Sequence, residues 1–64
     1  MKYFDIISIL HSSNARYGDP IEIETVMNDD AFIQKYMNCD DAAISFVDGK
    51  SIPLKNIESI KVLK

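Results

Sequence analysis

A single cysteine, Cys39, and a single histidine, His11, occur in these 64 residues, and this scarcity limits how so short a chain can be held in one fold. A chain of this length buries only about 60% of the surface that its unfolded form exposes, so small domains often depend on disulfides, a metal ion or a partner subunit. One cysteine cannot form an intrachain disulfide, and structural zinc sites use four Cys or His ligands. The sequence therefore predicts a well-packed apolar core or self-association, with no metal and no cofactor.

The first half of the chain predicts two strands, a loop and one helix. Residues 2–10, KYFDIISIL, are rich in β-branched and aromatic side chains and predict a strand that is apolar on both faces. Residues 11–20 are dense in turn formers and predict a loop, and residues 21–27 alternate as a half-buried strand with an acidic outer side. In residues 28–37, NDDAFIQKYM, an asparagine N-cap, two first-turn aspartates and apolar residues four apart predict a short amphipathic helix.

The second half predicts a hairpin, one helical turn and a last strand. Asp48-Gly49 lies between two short apolar runs, which is a strong hairpin signal, and Gly49 is expected to have a positive φ there. Pro53 has no N–H to donate, so it indicates an edge or an irregularity in its strand. Residues 54–59 are too few for an α-helix and predict a single 3₁₀-like turn. The final SIKVLK predicts an edge strand, which favours pairing with a second chain.

The run DGKSIPLKNIESI, residues 48–60, resembles the C-terminal end of small barrel proteins such as the YolD-like family and PRC-type barrels, which place spaced isoleucines after a β-turn. SH3-like and Sm-like barrels also end with a hairpin, a short helical turn and a last strand. The length predicts one domain, residues 1–64, and the order of the elements predicts an α+β, mainly β fold with one short helix between strands 2 and 3. The resemblance implies that this fold is a small SH3-like or Sm-like barrel, and the alternative is a five-stranded antiparallel sheet. That helix has no counterpart in those families, so no site residue is transferred from them.

The periodicities also predict which side chains form the core. Residues that alternate along a strand, or that lie four apart on a helix, point to the same side of the element. The inward positions give thirteen core residues: Phe4, Ile6, Ile23, Phe32, Ile33, Tyr36, Ile44, Phe46, Ile52, Leu54, Ile57, Ile60 and Val62.

Acidic residues are concentrated in the middle of the chain. Residues 19–48 carry eight carboxylates and one lysine, a net charge of −7, whereas residues 1–18 carry +1 and residues 49–64 carry +3. Such a block keeps a small protein soluble, docks on a basic protein surface, or meets the basic part of another subunit. Docking predicts a partner-binding face of six acidic residues: Glu22, Glu24, Asp29, Asp30, Asp40 and Asp41. If charge plays no part in binding, the first apolar candidates are Tyr3, Tyr17 and Met27.

These features predict a small acidic protein-binding module that also self-associates as a homodimer or larger assembly. The many isoleucines, lysines, asparagines and aspartates suit an AT-rich genome and favour a phage-encoded inhibitor of a bacterial host-defence protein. The alternative is an Sm-like or OB-like barrel that binds nucleic acid through aromatic side chains and C-terminal lysines. A net charge of −3 and a pI near 4.8 oppose this alternative, because nucleic acid is bound by clustered Lys and Arg.

The sequence offers no catalytic arrangement, so we expect a protein that is not an enzyme. His11 precedes Ser12 and Ser13, but neighbours on a strand point to opposite faces and no third triad member is identifiable. Nearby carboxylates disfavour a thiolate at Cys39. The first ten residues lack a cleavage signal, and no run reaches the roughly 18 apolar residues that span a bilayer. One unpaired cysteine then predicts a cytoplasmic location, in a bacterium or in the infected cell if the protein is phage-encoded.

Overall fold

The computed structural model describes the backbone of all 64 residues and every side chain except those of Asn28 and Asp29. One α-helix is followed by five strands and a 3₁₀ turn that precedes the last strand. These elements are α1 (Tyr3–Ser12), β1 (Pro20–Thr25), β2 (Asn28–Cys39), β3 (Ala43–Phe46), β4 (Ser51–Pro53), η1 (Leu54–Asn56) and β5 (Ile57–Val62). The prediction of a mainly β fold with five antiparallel strands and one helix is confirmed.

The five strands form one antiparallel sheet in the order β4-β3-β2-β1-β5. The long strand β2 pairs with β1 along its first part and with β3 along its last residues. The eleven steps between twelve extended residues span about 36 Å at about 3.3 Å each. The longest principal dimension of the molecule is 26 Å, and the register with β3 shifts between Tyr36 and Asn38, so β2 curves between its two partners. Because β4 and β5 end the order and do not pair with each other, the sheet is not a closed barrel.

The predicted first strand is wrong, because its residues form α1. Ile6 and Leu10 are buried, and Tyr3 and Ile7 pack against the core beside them. This is the i, i+3, i+4, i+7 spacing of one helix face. In a strand, side chains alternate with a period of two, so these same residues would lie on both sides. The segment therefore has two apolar faces when it is interpreted as a strand.

The end of α1 is a Schellman motif, which the turn-forming residues after it hid. Asn14 has a left-handed conformation with φ of 53°, and its N–H donates to the His11 carbonyl at 3.0 Å. The N–H of Ala15 donates to the Leu10 carbonyl at 2.9 Å. These two bonds satisfy carbonyl groups that the last helical turn leaves without partners. The predicted loop therefore begins later than expected, after Ser12 instead of at His11.

The predicted helix at residues 28–37, and with it the place of a helix between strands 2 and 3, is also wrong, because these residues belong to β2. Phe32 and Tyr36 are four apart, and that spacing puts two side chains on one face in a helix and in a strand alike. Both are half-buried, whereas Ile33 between them is 55% exposed. The segment therefore alternates with a period of two, and pairing on both sides with β1 and β3 makes it a strand.

The core lies between α1 and the sheet. Among the described side chains, the buried apolar residues come from α1, β1, β3, η1 and β5: Ile6, Leu10, Ile21, Ile23, Ile44, Phe46, Leu54, Ile57 and Ile60. Of the predicted core residues outside this set, four are half-buried against it: Phe32, Tyr36, Ile52 and Val62. Phe4 and Ile33 were predicted wrongly, at 79% and 55% exposed, because their elements were misassigned. Ile21 and Leu10 are buried and were not predicted.

The C-terminal hairpin is confirmed, with a longer loop than a two-residue turn. The N–H of Phe46 donates to the Lys50 carbonyl at 2.9 Å, and the N–H of Gly49 donates to the Phe46 carbonyl at 3.0 Å. Gly49 has the expected positive φ, 92°. A three-residue loop that ends in a left-handed glycine is a common hairpin type. Pro53 lies in the edge strand β4, and η1 is the expected single 3₁₀ turn.

Candidate functional site

Two of the predicted acidic residues lie on the exposed face of β1. Glu22 and Glu24 alternate along that strand with the buried residues Ile21 and Ile23. Asp30 is exposed in the neighbouring part of β2. Asp29 is in the same strand, but its side chain lies outside the described ones. The described carboxylates of this part of the acidic block, those of Glu22, Glu24 and Asp30, therefore lie on adjacent strands near the β1–β2 turn.

The exposed face beside β1 is not uniformly acidic. Lys61 of β5 and Ile33 of β2 are the direct neighbours of Glu22 on either side. Side chains at such opposite positions have Cβ atoms about 4.5–5.5 Å apart. Lys61 therefore reduces the negative potential at Glu22. Glu24 is opposite the uncharged Ser59, so its negative potential is not reduced in this way. A net charge counted along the sequence overstates the charge of this face.

Asp40 and Asp41 lie in the turn at the other end of β2. The Asp40 carboxylate accepts hydrogen bonds from the backbone N–H groups of Ala42 at 2.8 Å and Ala43 at 2.9 Å. The bonds from Ala43 and Ala42, in that order, lower the pKa of Asp40. Asp40 therefore has a structural role in the β2–β3 turn, which was not predicted from the sequence. The structure separates this pair of carboxylates from those near the β1–β2 turn.

The β1–β2 turn carries two exposed apolar side chains. Thr25 pairs with Asn28, which leaves Val26 and Met27 as the two residues of the turn. Val26 is 62% exposed and Met27 is 79% exposed. Two-residue hairpin turns favour Gly, Asn and Asp because these tolerate a positive φ. Neither Val26 nor Met27 has a positive φ, so turn geometry does not explain the choice of these side chains.

An open groove of about 350 Å³ lies next to this turn. Its described lining consists of Thr25, Met27, Ser51, Ile52, Pro53 and Asn56. The N–H of Val26 donates to the Asn56 carbonyl at 3.0 Å, so the turn is attached to η1. The volume is at the small end of the range for ligand sites, about 300–1,000 Å³. None of the described lining side chains titrates near neutral pH, so the groove offers shape and hydrogen bonds but no acid–base group.

The three apolar contact candidates from the sequence differ in exposure: Tyr3, Tyr17 and Met27. Tyr17, in the loop after α1, is 69% exposed, whereas Tyr3 is half-buried against the core. Val26, the neighbour of Met27 in the turn, is also exposed and was not among the predicted contact residues. The signal available was two apolar residues placed where the strand alternation stops and where a turn normally has polar residues.

The pKa of the Cys39 thiol is shifted away from the thiolate. Burial, followed by the negative charge of Asp40, raises the pKa of the Cys39 thiol. Burial is also the largest cause of the raised pKa of Tyr36, with Cys39 and Tyr3 as smaller causes. Both changes favour the protonated groups at neutral pH. His11 is exposed in the last turn of α1, not on a strand.

Comparisons with known proteins do not assign the chain. It matches no protein-family model, and no match to it was found among curated proteins or among solved structures. The resemblance of residues 48–60 to small barrels therefore remains a prediction. In the described part of the chain, no three His, Cys, Asp or Glu residues come together as a metal site. The structure also describes no helix with the length and apolar content that crossing a membrane requires.

Proposed function

We propose that this chain is a small, non-enzymatic protein-binding module that docks on its partner through the β1–β2 turn. The supporting observation is the exposure of Val26 and Met27, 62% and 79%, at a turn whose geometry does not require them. Apolar side chains in a cluster on a monomer surface are typical of interaction sites, and methionine adapts well to irregular partner surfaces. The groove beside Met27 gives the partner a place for one of its own side chains.

The charges around the turn indicate the chemistry of the partner. Glu24 and Asp30 are exposed on the two strands that the turn joins. A partner that fits has an apolar depression for Val26 and Met27 with lysines or arginines around it. Charges at the rim of an interface act mainly on the rate of association and on specificity, while the apolar centre gives most of the binding energy.

We also propose that the sheet is an open member of the SH3-like or Sm-like class. The curvature of β2, with its register shift between Tyr36 and Asn38, and the 3₁₀ turn between β4 and β5 support this assignment. The small size, the acidic composition and the proposed docking surface agree with a cytoplasmic, phage-encoded inhibitor of a host-defence protein.

The test is capture of a partner from a bacterial lysate, followed by binding measurements with the purified partner. Met27→Asp is expected to reduce affinity at least about tenfold, because one apolar anchor at an interface centre is worth about 1–2 kcal/mol or more. Tyr17→Asp is the matched control, since Tyr17 is also a large exposed side chain and the substitution introduces the same charge. Equal affinity of the Met27→Asp variant and the native chain would contradict the proposal.

A further inference from the structure

The sheet has two edges, and they differ in their capacity to pair with another strand. In β4, the bond from Phe46 N–H to the Lys50 carbonyl shows that the even-numbered residues face β3. Ser51 and Pro53 therefore face the free side, and Pro53 has no N–H to offer. An edge of three residues with a proline in it is poorly suited to strand pairing.

The β5 edge is longer and lacks proline. The N–H of Leu63 donates to the Pro20 carbonyl at 2.9 Å, so the odd-numbered residues at this end of β5 face β1. Backbone groups alternate in direction along an antiparallel strand, and the N–H and C=O groups of Ile60 and Val62 therefore face the free side. The amino group of Met1 binds the Ile57 carbonyl at 2.6 Å and occupies only the beginning of this edge.

We propose that β5 pairs with β5 of a second copy of this chain, antiparallel and about a twofold axis centred on Ile60. The two Ile60 residues then exchange N–H···O=C bonds, and their side chains both face the core side of a sheet that continues from one copy into the other. Ile60 is buried within its own copy, so the pairing extends an existing apolar surface.

The charges along β5 select this register. Glu58 and Ser59 are both exposed, at an irregularity where the pairing with Glu24 and Thr25 shifts by one residue. With Ile60 at the centre, Lys61 lies opposite Ser59 of the second copy and beside its Glu58. With Lys61 at the centre, two ammonium groups lie directly opposite each other, which destabilises an antiparallel pair. A β5–β5 register shifted by one residue moves the apolar side chains from the core face to the solvent face of the shared sheet.

This pairing is independent of the proposed docking surface. The β1–β2 turn is not part of the β5 edge, so loss of partner binding and loss of self-association are separate outcomes. The self-complementary charges and the proline in β4 favour a closed pair of β5 edges over a chain of β4-to-β5 contacts.

The direct test is N-methylation of the Ile60 amide in a synthetic chain, with N-methylation of the Ser51 amide as the matched control. Both changes remove one free-edge N–H, and neither removes a bond within the sheet. Light scattering of the native chain at micromolar concentration should give about twice the monomer mass of 7.3 kDa. Methylation at Ile60 should weaken the dimer at least about tenfold, because two intermolecular bonds are lost, and methylation at Ser51 should leave it unchanged.

A monomer mass for the native chain, or an equal effect of the two methylations, would overturn the proposal. Circular dichroism establishes that each methylated chain is folded. A second measurement uses Glu58→Lys and Lys61→Glu, which should each weaken self-association. An equimolar mixture of these two variants should form a heterodimer, since each copy then presents charges complementary to the other. Failure of two folded variants to associate on mixing would also overturn the pairing.

Discussion

Gly49 is a residue at which the backbone alone decides which amino acid fits. Its φ is 92°, and a Cβ added there would meet no atom within 4 Å. We therefore expect Gly49→Val to lower the free energy of unfolding by about 1–2 kcal/mol through backbone strain and not through a clash. Gly49→Asn should cost less, since asparagine tolerates positive φ better. The denaturant midpoints of the two variants measure the difference, and an unshifted midpoint for Gly49→Val would contradict it.

Asp40 gives a prediction for pH dependence at the same scale. Hydrogen bonds from the N–H groups of Ala43 and Ala42 lower its pKa below the ordinary 3.8, so they stabilise the folded chain fully above that value. The stabilisation disappears as pH falls through the lowered folded-state pKa. Asp40→Ala should therefore reduce the melting temperature at pH 7 and make progressively less difference below pH 3.8.

Asp41→Ala is the control for this effect. Asp41 is the exposed neighbour in the same turn, and its carboxylate accepts no hydrogen bond among the described residues. Thermal unfolding from pH 7 to pH 2 should separate the two variants at neutral pH and bring them together in acid. A constant gap over the whole range would mean that the Asp40 side chain acts through packing and not through its charge.

At the scale of elements, a local sequence pattern predicted the structure correctly where it fitted only one kind of element. Glu22 and Glu24 alternate with isoleucines in β1, and Asp48-Gly49 marked the hairpin correctly. The patterns of the α1 and β2 segments each fitted the period of a helix and the period of a strand. Isoleucines favoured a strand in α1, although Tyr3 and Ile7 followed the helical stripe. In β2 the even spacing of the aromatic residues fitted a helix and a strand alike. Pairing with two neighbouring strands decided the outcome, and no local pattern contains that information.

The assignment of residues 3–12 to a helix has a mutational test. Leu10 is 3% exposed and Phe4 is 79% exposed, although both were apolar residues of the same predicted strand. Leu10→Ala should destabilise the chain by about 2–4 kcal/mol through the transfer and cavity costs. Phe4→Ala should change stability by less than about 0.5 kcal/mol. Urea denaturation of both variants checks this, and a reversed order of the two effects would mean that the helix presents another face.

At the scale of the whole molecule, the sequence indicated the sign of the charge but not its distribution. It placed all six carboxylates on one expected face, whereas folding puts Asp40 and Asp41 at the far end of β2 from the β1–β2 turn. It also could not show that Lys61 lies beside Glu22, because that contact joins residues far apart in the chain. Met27 was recognised as an apolar candidate, but its groove is formed by residues from β4 and η1 and depends on the tertiary fold.

The proposed docking surface predicts a specific effect of charge on partner binding. Neutralising Glu22→Gln and Glu24→Gln together should weaken binding by about three- to tenfold at low salt, since each exposed charge pair is worth about 0.2–1 kcal/mol. The difference from the native chain should shrink as salt rises, because screening then shortens the reach of exposed charges below about 8 Å. Calorimetry with the purified partner at two salt concentrations measures both effects.

The control for this prediction is Asp5→Asn with Asp41→Asn, which removes the same two charges from exposed positions on α1 and in the β2–β3 turn. Equal weakening by both double variants would mean that only net charge matters and that the face near Glu24 is not a contact. Binding that ignores salt and both double variants would place the whole interface on Val26 and Met27. Stronger binding of an unrelated oligonucleotide by the glutamine variant, with loss on substitution of Lys50, Lys55 and Lys61, would instead support the nucleic-acid alternative, because lysines and not carboxylates contact phosphates.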